Sequence, residues 1–381
     1  MKHVDEYRDG KLARDLARRI ATESRADISY RFMEFCGGHT HAISRYGVED
    51  LLPANIRMIH GPGCPVCVLP MGRIDDAISL AERPEVTLCT YGDLMRVPGS
   101  NGSSLLKSKA AGADIRMVYS TLDAIAIASN EPERQVVFFA IGFETTTPPT
   151  AMAIRLAQKK RLTNFAIFCN HVLTPSAIQK ILEASGPDAV EIDGFIGPAH
   201  VSTIIGTTPY RRFATEFHKP VVVAGFEPLD VVQAILMLVR QVNEGRAEIE
   251  NQYIRAVSAE GNAKALAEIA DIFELRESFE WRGLGEIPWS ALRLRESYAQ
   301  FDAERRFPVV TRPARDNPAC ECGAILRGVK RPRDCRLFGA ACTPETPMGA
   351  CMVSSEGSCA AYWAYGRFRD RETASRRVGA P

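Results

Sequence analysis

The stretch FCGGHTH, residues 35–41, sets the thiol of Cys36 beside two glycines and the imidazoles of His39 and His41. A thiol near a histidine can ligate a metal, attack an electrophile or exchange a proton, and the glycines let the backbone pass close to a ligand. A histidine satisfied by a backbone carbonyl is the plainer alternative. A second thiol group follows in HGPGCPVC, residues 60–67, where Cys64 and Cys67 form a C-x-x-C pair ahead of the helical pattern MGRIDDAISLAE. A helix N-terminus favours thiolate, so this pair is a candidate for redox chemistry or metal binding, against two buried cysteines on a tight turn. The densest group is Cys320, Cys322, Cys335, Cys342, Cys351 and Cys359, with one, twelve, six, eight and seven residues intervening. Four thiolates suit zinc or an iron–sulfur cluster. The absence of paired C-x-x-C knuckles favours a cluster, and spacing does not select four ligands from six.

These residues need elements to position them. From residue 29 to about 240, short apolar or β-branched runs alternate with helical patterns, which predicts α/β structure with parallel sheets. Eight strands are expected, at 30–35, 56–60, 86–91, 115–119, 136–141, 165–169, 194–197 and 221–224. Four and four imply two similar α/β domains, 29–135 and 136–243, facing a cleft, after an N-terminal helix in 1–28 that packs on another domain. The loops after the strands, among them CGGHTH, HGPGCPVC, GFETTTPP, GPAHVS and GFEP, are rich in glycine, proline and polar residues. Ligands bind at that edge of open parallel sheets, which brings Cys36, Cys64, Cys67 and Glu144 towards one cleft. Residues 244–381 form a mainly helical and irregular unit, with Pro288 expected to start a helix. Its cysteine-rich part buries too little apolar surface to fold alone and needs a metal or cluster at its centre.

Several residues have quieter readings. Cys89 and Cys169 lie within expected strands and read as core. His171 and His200 fall on strand-end loops, where a cleft role and ordinary hydrogen bonding are equally served. Glu144 is either a cleft acid or part of the N-cap of the next helix. GFETTTP has no P-loop lysine, which argues against nucleotide binding. AYWAYGRF, 361–368, reads as packing around the cysteines, and RETASRRVGAP, 371–381, as a disordered tail.

The chain has 381 residues, 47 basic and 46 acidic, for a net charge of +1. That balance carries no electrostatic footprint for nucleic acid or an anionic membrane. The N-terminus lacks the apolar core of a signal peptide, and the longest apolar run, VVQAILMLV at 231–239, is about half a bilayer span. A cytoplasmic protein is expected, in which eleven cysteines serve metal or redox chemistry more than disulfides.

FCGGHTH, GPGCPVC, GFETTTP, NHVLTP, GPAHVS, GFEP and CTPETPMGACMVSSEGSCAAYW, in this order, resemble the HypD family of hydrogenase maturation proteins across nearly the whole chain. The resemblance implies a scaffold on which the Fe(CN)2CO unit of nickel–iron hydrogenase is assembled. The chaperone HypC would add a thiolate, and HypE would deliver cyanide as a thiocyanate. It also implies a third domain with a 4Fe-4S cluster similar to that of ferredoxin:thioredoxin reductase, and a protein monomeric on its own. Carried over, the cluster ligands are Cys320, Cys335, Cys342 and Cys359, with Cys322 and Cys351 as a redox pair beside them. Cys36 would hold the iron, and Cys64 and Cys67 would ligate it or cycle as dithiol and disulfide. His39 is then expected to handle protons or stabilise the ligands, and Glu356 to be a polar group near the cluster. A cluster-dependent thiol oxidoreductase without mononuclear iron is the alternative.

Overall fold

Of the eight expected strands, VVFFAI is apolar on both faces, the pattern of a strand covered by helices on either side, whereas YRFMEF, IRMIH and IRMVY each carry an arginine at their second position. All eight form parallel strands in the computed structural model, which describes residues 5–308, 314 and 316–366. They are β1 (Tyr30–Glu34), β2 (Ile56–His60), β3 (Val86–Thr90), β4 (Ile115–Met117), β5 (Gln135–Gly142), β6 (Phe165–His171), β7 (Gly194–Pro198) and β8 (Val221–Ala224). A ninth, β9 (Ile249–Asn251), pairs parallel to β8 and was not expected, because IEN at a sheet edge has no apolar pattern.

The sheets do not follow the expected division of the strands in chain order. One sheet runs β2-β1-β7-β8-β9 and the other β4-β3-β5-β6. The chain leaves the first sheet after β2, builds the whole second sheet, and returns at β7, so the boundary at 135/136 falls inside the second sheet. Each strand carries its own pattern, but partners are chosen by how the crossovers pack, which no local pattern records.

The helix Gly10–Glu23 starts at Asp9, whose carboxylate accepts the Lys11 amide hydrogen at 2.7 Å. It buries Ala13, Ala17 and Ile20 and packs on the helix Pro228–Asn243, with Arg240 Nε donating to Glu23 at 2.6 Å.

Pro288 does not start a helix. It ends a hairpin strand, β12 (Gly285–Pro288), paired with β11 (Ser278–Trp281), while β10 (Phe273–Leu275) pairs with β13 (Leu292–Leu294). Leu292 and Leu294 are buried with Arg293 exposed between them, a period of two. Gly283, at φ 78°, supplies the left-handed turn that closes the hairpin. Helices in this region do form at Ala263–Ile272 and, more briefly, at Glu296–Phe301 and Ala303–Arg306. The cysteine-rich part holds two short helices, Cys322–Leu326 and Ser358–Tyr365, among turns. The segment 371–381 lies outside the described residues. No helix among the described residues is long and apolar enough to cross a membrane.

Candidate functional site

Parallel pairing puts the carboxyl ends of β2, β1, β7 and β8 side by side, and the glycine-rich loops leave from there. Cys36 caps the helix Gly37–Tyr46, its Sγ accepting the Gly38 amide hydrogen at 3.3 Å. From the end of β7, His200 brings Nδ1 to 3.4 Å from that sulfur. Burial pushes the Cys36 thiol well up, and the nearby Glu356 and Glu34 carboxylates add to it. The metal-free thiol is therefore protonated, and a bound cation would displace its proton. Burial lowers His200 to about 4, leaving a neutral imidazole with a lone pair to offer.

Beneath this pair lies Glu34, fully buried at the end of β1. One oxygen accepts the Cys36 amide hydrogen at 2.8 Å; the other meets His60 Nδ1 at 2.8 Å and the Thr40 hydroxyl. Glu34 and His60 are direct register partners on β1 and β2, so one carboxylate ties together the ends from which both cysteine loops spring. Burial works against charge on His60, but the Glu34 hydrogen bond together with the Glu34 and Glu49 charges outweighs it, so its pKa is raised.

His39 is buried, with Nε2 at 3.0 Å from the carbonyl oxygens of Ala224 and Gly225. That nitrogen must carry the hydrogen, which leaves Nδ1 a bare, buried acceptor without a hydrogen-bond partner among the described residues. Phe226 packs between the His39 and His200 rings, 4.8 and 5.3 Å from them. His41 instead reaches Tyr365 at 3.1 Å, away from the sulfur.

Cys64 and Cys67 are joined as a disulfide. Gly63 rests on the Cys36 backbone so closely that a Cβ there would overlap it, and its carbonyl accepts the Gly37 amide hydrogen at 3.1 Å. On the other side, Cys67 Sγ lies 4.0 Å from the Ala350 carbonyl oxygen, one residue before Cys351. The C-x-x-C turn thus sits between Cys36 and the cysteine-rich segment.

Within that segment the Cys320 and Cys359 thiols each lie against Cys322, which together with burial raises both. Cys351 and Cys342 also act on Cys359, and Cys342 is raised by burial and then by Cys320 and Cys322. Cys335 lies against Glu321. The Gly349 backbone touches the sulfurs of Cys320 and Cys322, where any Cβ would collide. Among the described residues no three histidine, cysteine or acidic side chains stand arranged as a metal site.

A cavity of 290 Å³ opens above Cys36's loop, lined from both sheets and from the C-terminal segment by Gly63, Asp93, Gly142, Thr146, His200 and Glu356. Burial, with Asp93 adding, raises the Glu356 carboxyl. Glu356 packs directly on Gly37 and so faces the Cys36 loop. Glu144 does not line this cavity. It is buried, accepts the Thr174 amide and hydroxyl hydrogens at 2.8 and 2.9 Å, and is raised by burial to about 7. Cys89 and Cys169 are core residues, and burial pushes them up to about 12 and 11.

Residues 11–366 match the family model described as HypD, hydrogenase formation hypA family. The chain belongs to the HypD family. It is 73% identical to the hydrogenase maturation factor HypD of Rhizobium leguminosarum bv. viciae, over all of both chains. Identity to the hydrogenase maturation factor HypD of Cupriavidus necator is 64%, covering 97% of this chain and 98% of the relative. For the hydrogenase maturation factor HypD of Escherichia coli K12 it is 48%, covering 96% and 98%.

The HypD motifs marked the cysteines, but sequence reasoning passed over Glu34 and His60. Glu34 stood second from the end of one expected strand and His60 at the end of another, and an ionisable residue at the close of an apolar run was the available signal.

Proposed function

We propose that the chain is a hydrogenase maturation scaffold that receives an iron unit at Cys36 and assembles Fe(CN)2CO there, working with HypC and HypE in the cytoplasm. The observation that carries this reading is the Cys36–His200 pair, a thiol and a neutral imidazole 3.4 Å apart beside a cavity. Low-spin iron bearing cyanide and carbon monoxide calls for a soft, electron-rich thiolate, and imidazole suits the same metal. HypC would close the remaining side with a further thiolate.

The C-x-x-C pair supplies two electrons for releasing cyanide from a thiocyanate. The balance is one S–C bond broken and one S–S bond formed: the Cys64 and Cys67 dithiol gives up two hydrogens, the carrier leaves as a thiol, and the nitrile leaves as hydrogen cyanide. Cyanide binds iron as the anion and sheds its proton. His39 and Glu356 would accept the protons, a reading supported by the bare Nδ1 of His39 and by the packing of Glu356 on the Cys36 loop.

The chemistry of the donor set, six thiols in one segment with Gly349 leaving room beside the Cys320 and Cys322 sulfurs, supports a 4Fe-4S cluster that Cys320, Cys335, Cys342 and Cys359 would hold, with Cys322 and Cys351 beside it. Such a cluster supplies single electrons when bound. The chain's own contribution is the contact of Cys67 with the Ala350–Cys351 backbone, which keeps the disulfide against this segment.

That same contact favours a second reading, a thiol oxidoreductase that reduces a partner's disulfide and holds no mononuclear iron. The infrared spectrum of the chain purified anaerobically with HypC and HypE separates the two. Cyanide and carbon monoxide bands that vanish in Cys36→Ala are expected. A spectrum without such bands, with the cluster chromophore intact, would select the oxidoreductase.

A further inference from the structure

Arg282 sits at the turn of the β11–β12 hairpin and is 3% exposed. Two of its bonds run to the segment that follows Cys67: its amide hydrogen goes to the Val68 carbonyl at 2.7 Å and Nε donates to the Leu69 carbonyl at 2.9 Å. On the opposite side, Gly283 packs against Gly323, in the helix that begins with Cys322. Nη1 pairs with Asp316 at 3.0 Å. Nη2 is buried and has no hydrogen-bond partner among the described residues. A buried guanidinium with an unused donor is costly, since every desolvated N–H normally finds an acceptor. The guanidinium is close enough to Cys320 to favour its thiolate, although burial and Cys322 outweigh that effect.

We infer that Arg282 is an electrostatic and positioning residue shared by the two thiol centres: it holds the Cys67 segment through Leu69 and keeps Nη2 for negative charge on the sulfurs around Cys320. The inference rests on the proposed cluster at those cysteines. A thiolate-ligated cluster is anionic and gains a further negative charge on reduction. A fixed cation beside it stabilises the reduced form and moves its potential upward. Asp316, on the other end of the guanidinium, partly cancels that charge, so the two residues must act with opposite sign.

The test is the reduction potential of the anaerobically reconstituted full-length chain, followed by its visible absorbance. Arg282→Gln is expected to make reduction about tenfold less favourable, about 60 mV for one electron. Arg282→Lys should recover much of the loss, and Asp316→Asn should shift the potential upward. A role in packing alone would not produce opposite shifts. If Arg282→Gln fails to fold or to take up the cluster, Asp316→Asn decides, because it leaves the buried arginine in place. A wild-type potential in Asp316→Asn, or in a fully loaded Arg282→Gln, overturns the inference and leaves the scaffold reading standing. A wild-type chain that takes up no cluster removes the proposed cluster and this inference with it.

Discussion

Cys36 Sγ and His200 Nδ1 stand 3.4 Å apart although 164 residues separate them in the chain. They meet because β1 and β7 are neighbours in one parallel sheet, with Glu34 in register with Ile196, so the loops that follow emerge together. The whole second sheet is built between them without disturbing the pair.

His200 is expected to hold iron with Cys36. His200→Ala should weaken iron binding by the chain with its HypC partner roughly 10- to 100-fold, the range over which residues at and around a metal typically act. Iron content after equilibrium dialysis against a competing chelator measures this. An affinity equal to wild type would remove His200 from the site.

Glu34 ties Cys36, Thr40 and His60 together. Glu34→Ala strands buried donors, each costing about 1–3 kcal/mol, so the urea unfolding curve should show a loss of roughly 3 kcal/mol or more. Glu34→Gln keeps one acceptor oxygen and should lose less. Equal stability of the two variants would mean that these bonds do not hold the loop.

Gly63 touches the Cys36 backbone with no room for a Cβ. Gly63→Ala is expected to push the Cys64 turn away from Cys36 and to destabilise the chain by about 1–3 kcal/mol. The infrared bands assigned to the iron unit should weaken together with the fall in thermal midpoint. Full bands at an unchanged midpoint would show that the two loops need not touch.

Glu144 gives a pH dependence whose sign can be worked out. Its pKa is about 7 in the folded chain against an ordinary value of 4.5, raised by burial. The stability it contributes is complete below the unfolded value and is lost as pH rises through about 7, on the order of 3 kcal/mol in all. Glu144→Gln cannot ionise and should flatten that decline between pH 4.5 and 7.5. Denaturant midpoints measured across the range test it, and an unaltered slope would place the titration elsewhere.

The eight strands and the cysteine motifs were legible because each is a local pattern. Val136–Ile141 is apolar throughout, and buried strands need that. The 288–301 stretch misled because Pro288 and the following leucines serve a helix or a strand equally well, and Gly283 and Gly285 upstream had already committed the chain to a hairpin. His200 read no differently from His171, as a histidine on a strand-end loop, until the sheet order put it beside Cys36.

The amino-acid sequence by itself determined the eight strands between residues 30 and 224, the glycine-rich loops at the strand ends and the family, since these depend on side-chain periodicity and on short motifs. Only the tertiary structure decided that β1 and β2 pair with β7 and β8, that His200 faces Cys36, and that Arg282 links the Cys67 segment to the cysteine-rich end. Such relationships arise from packing between residues far apart in the chain, and a buried charge such as Glu34 or Arg282 has meaning only once its partners are in place.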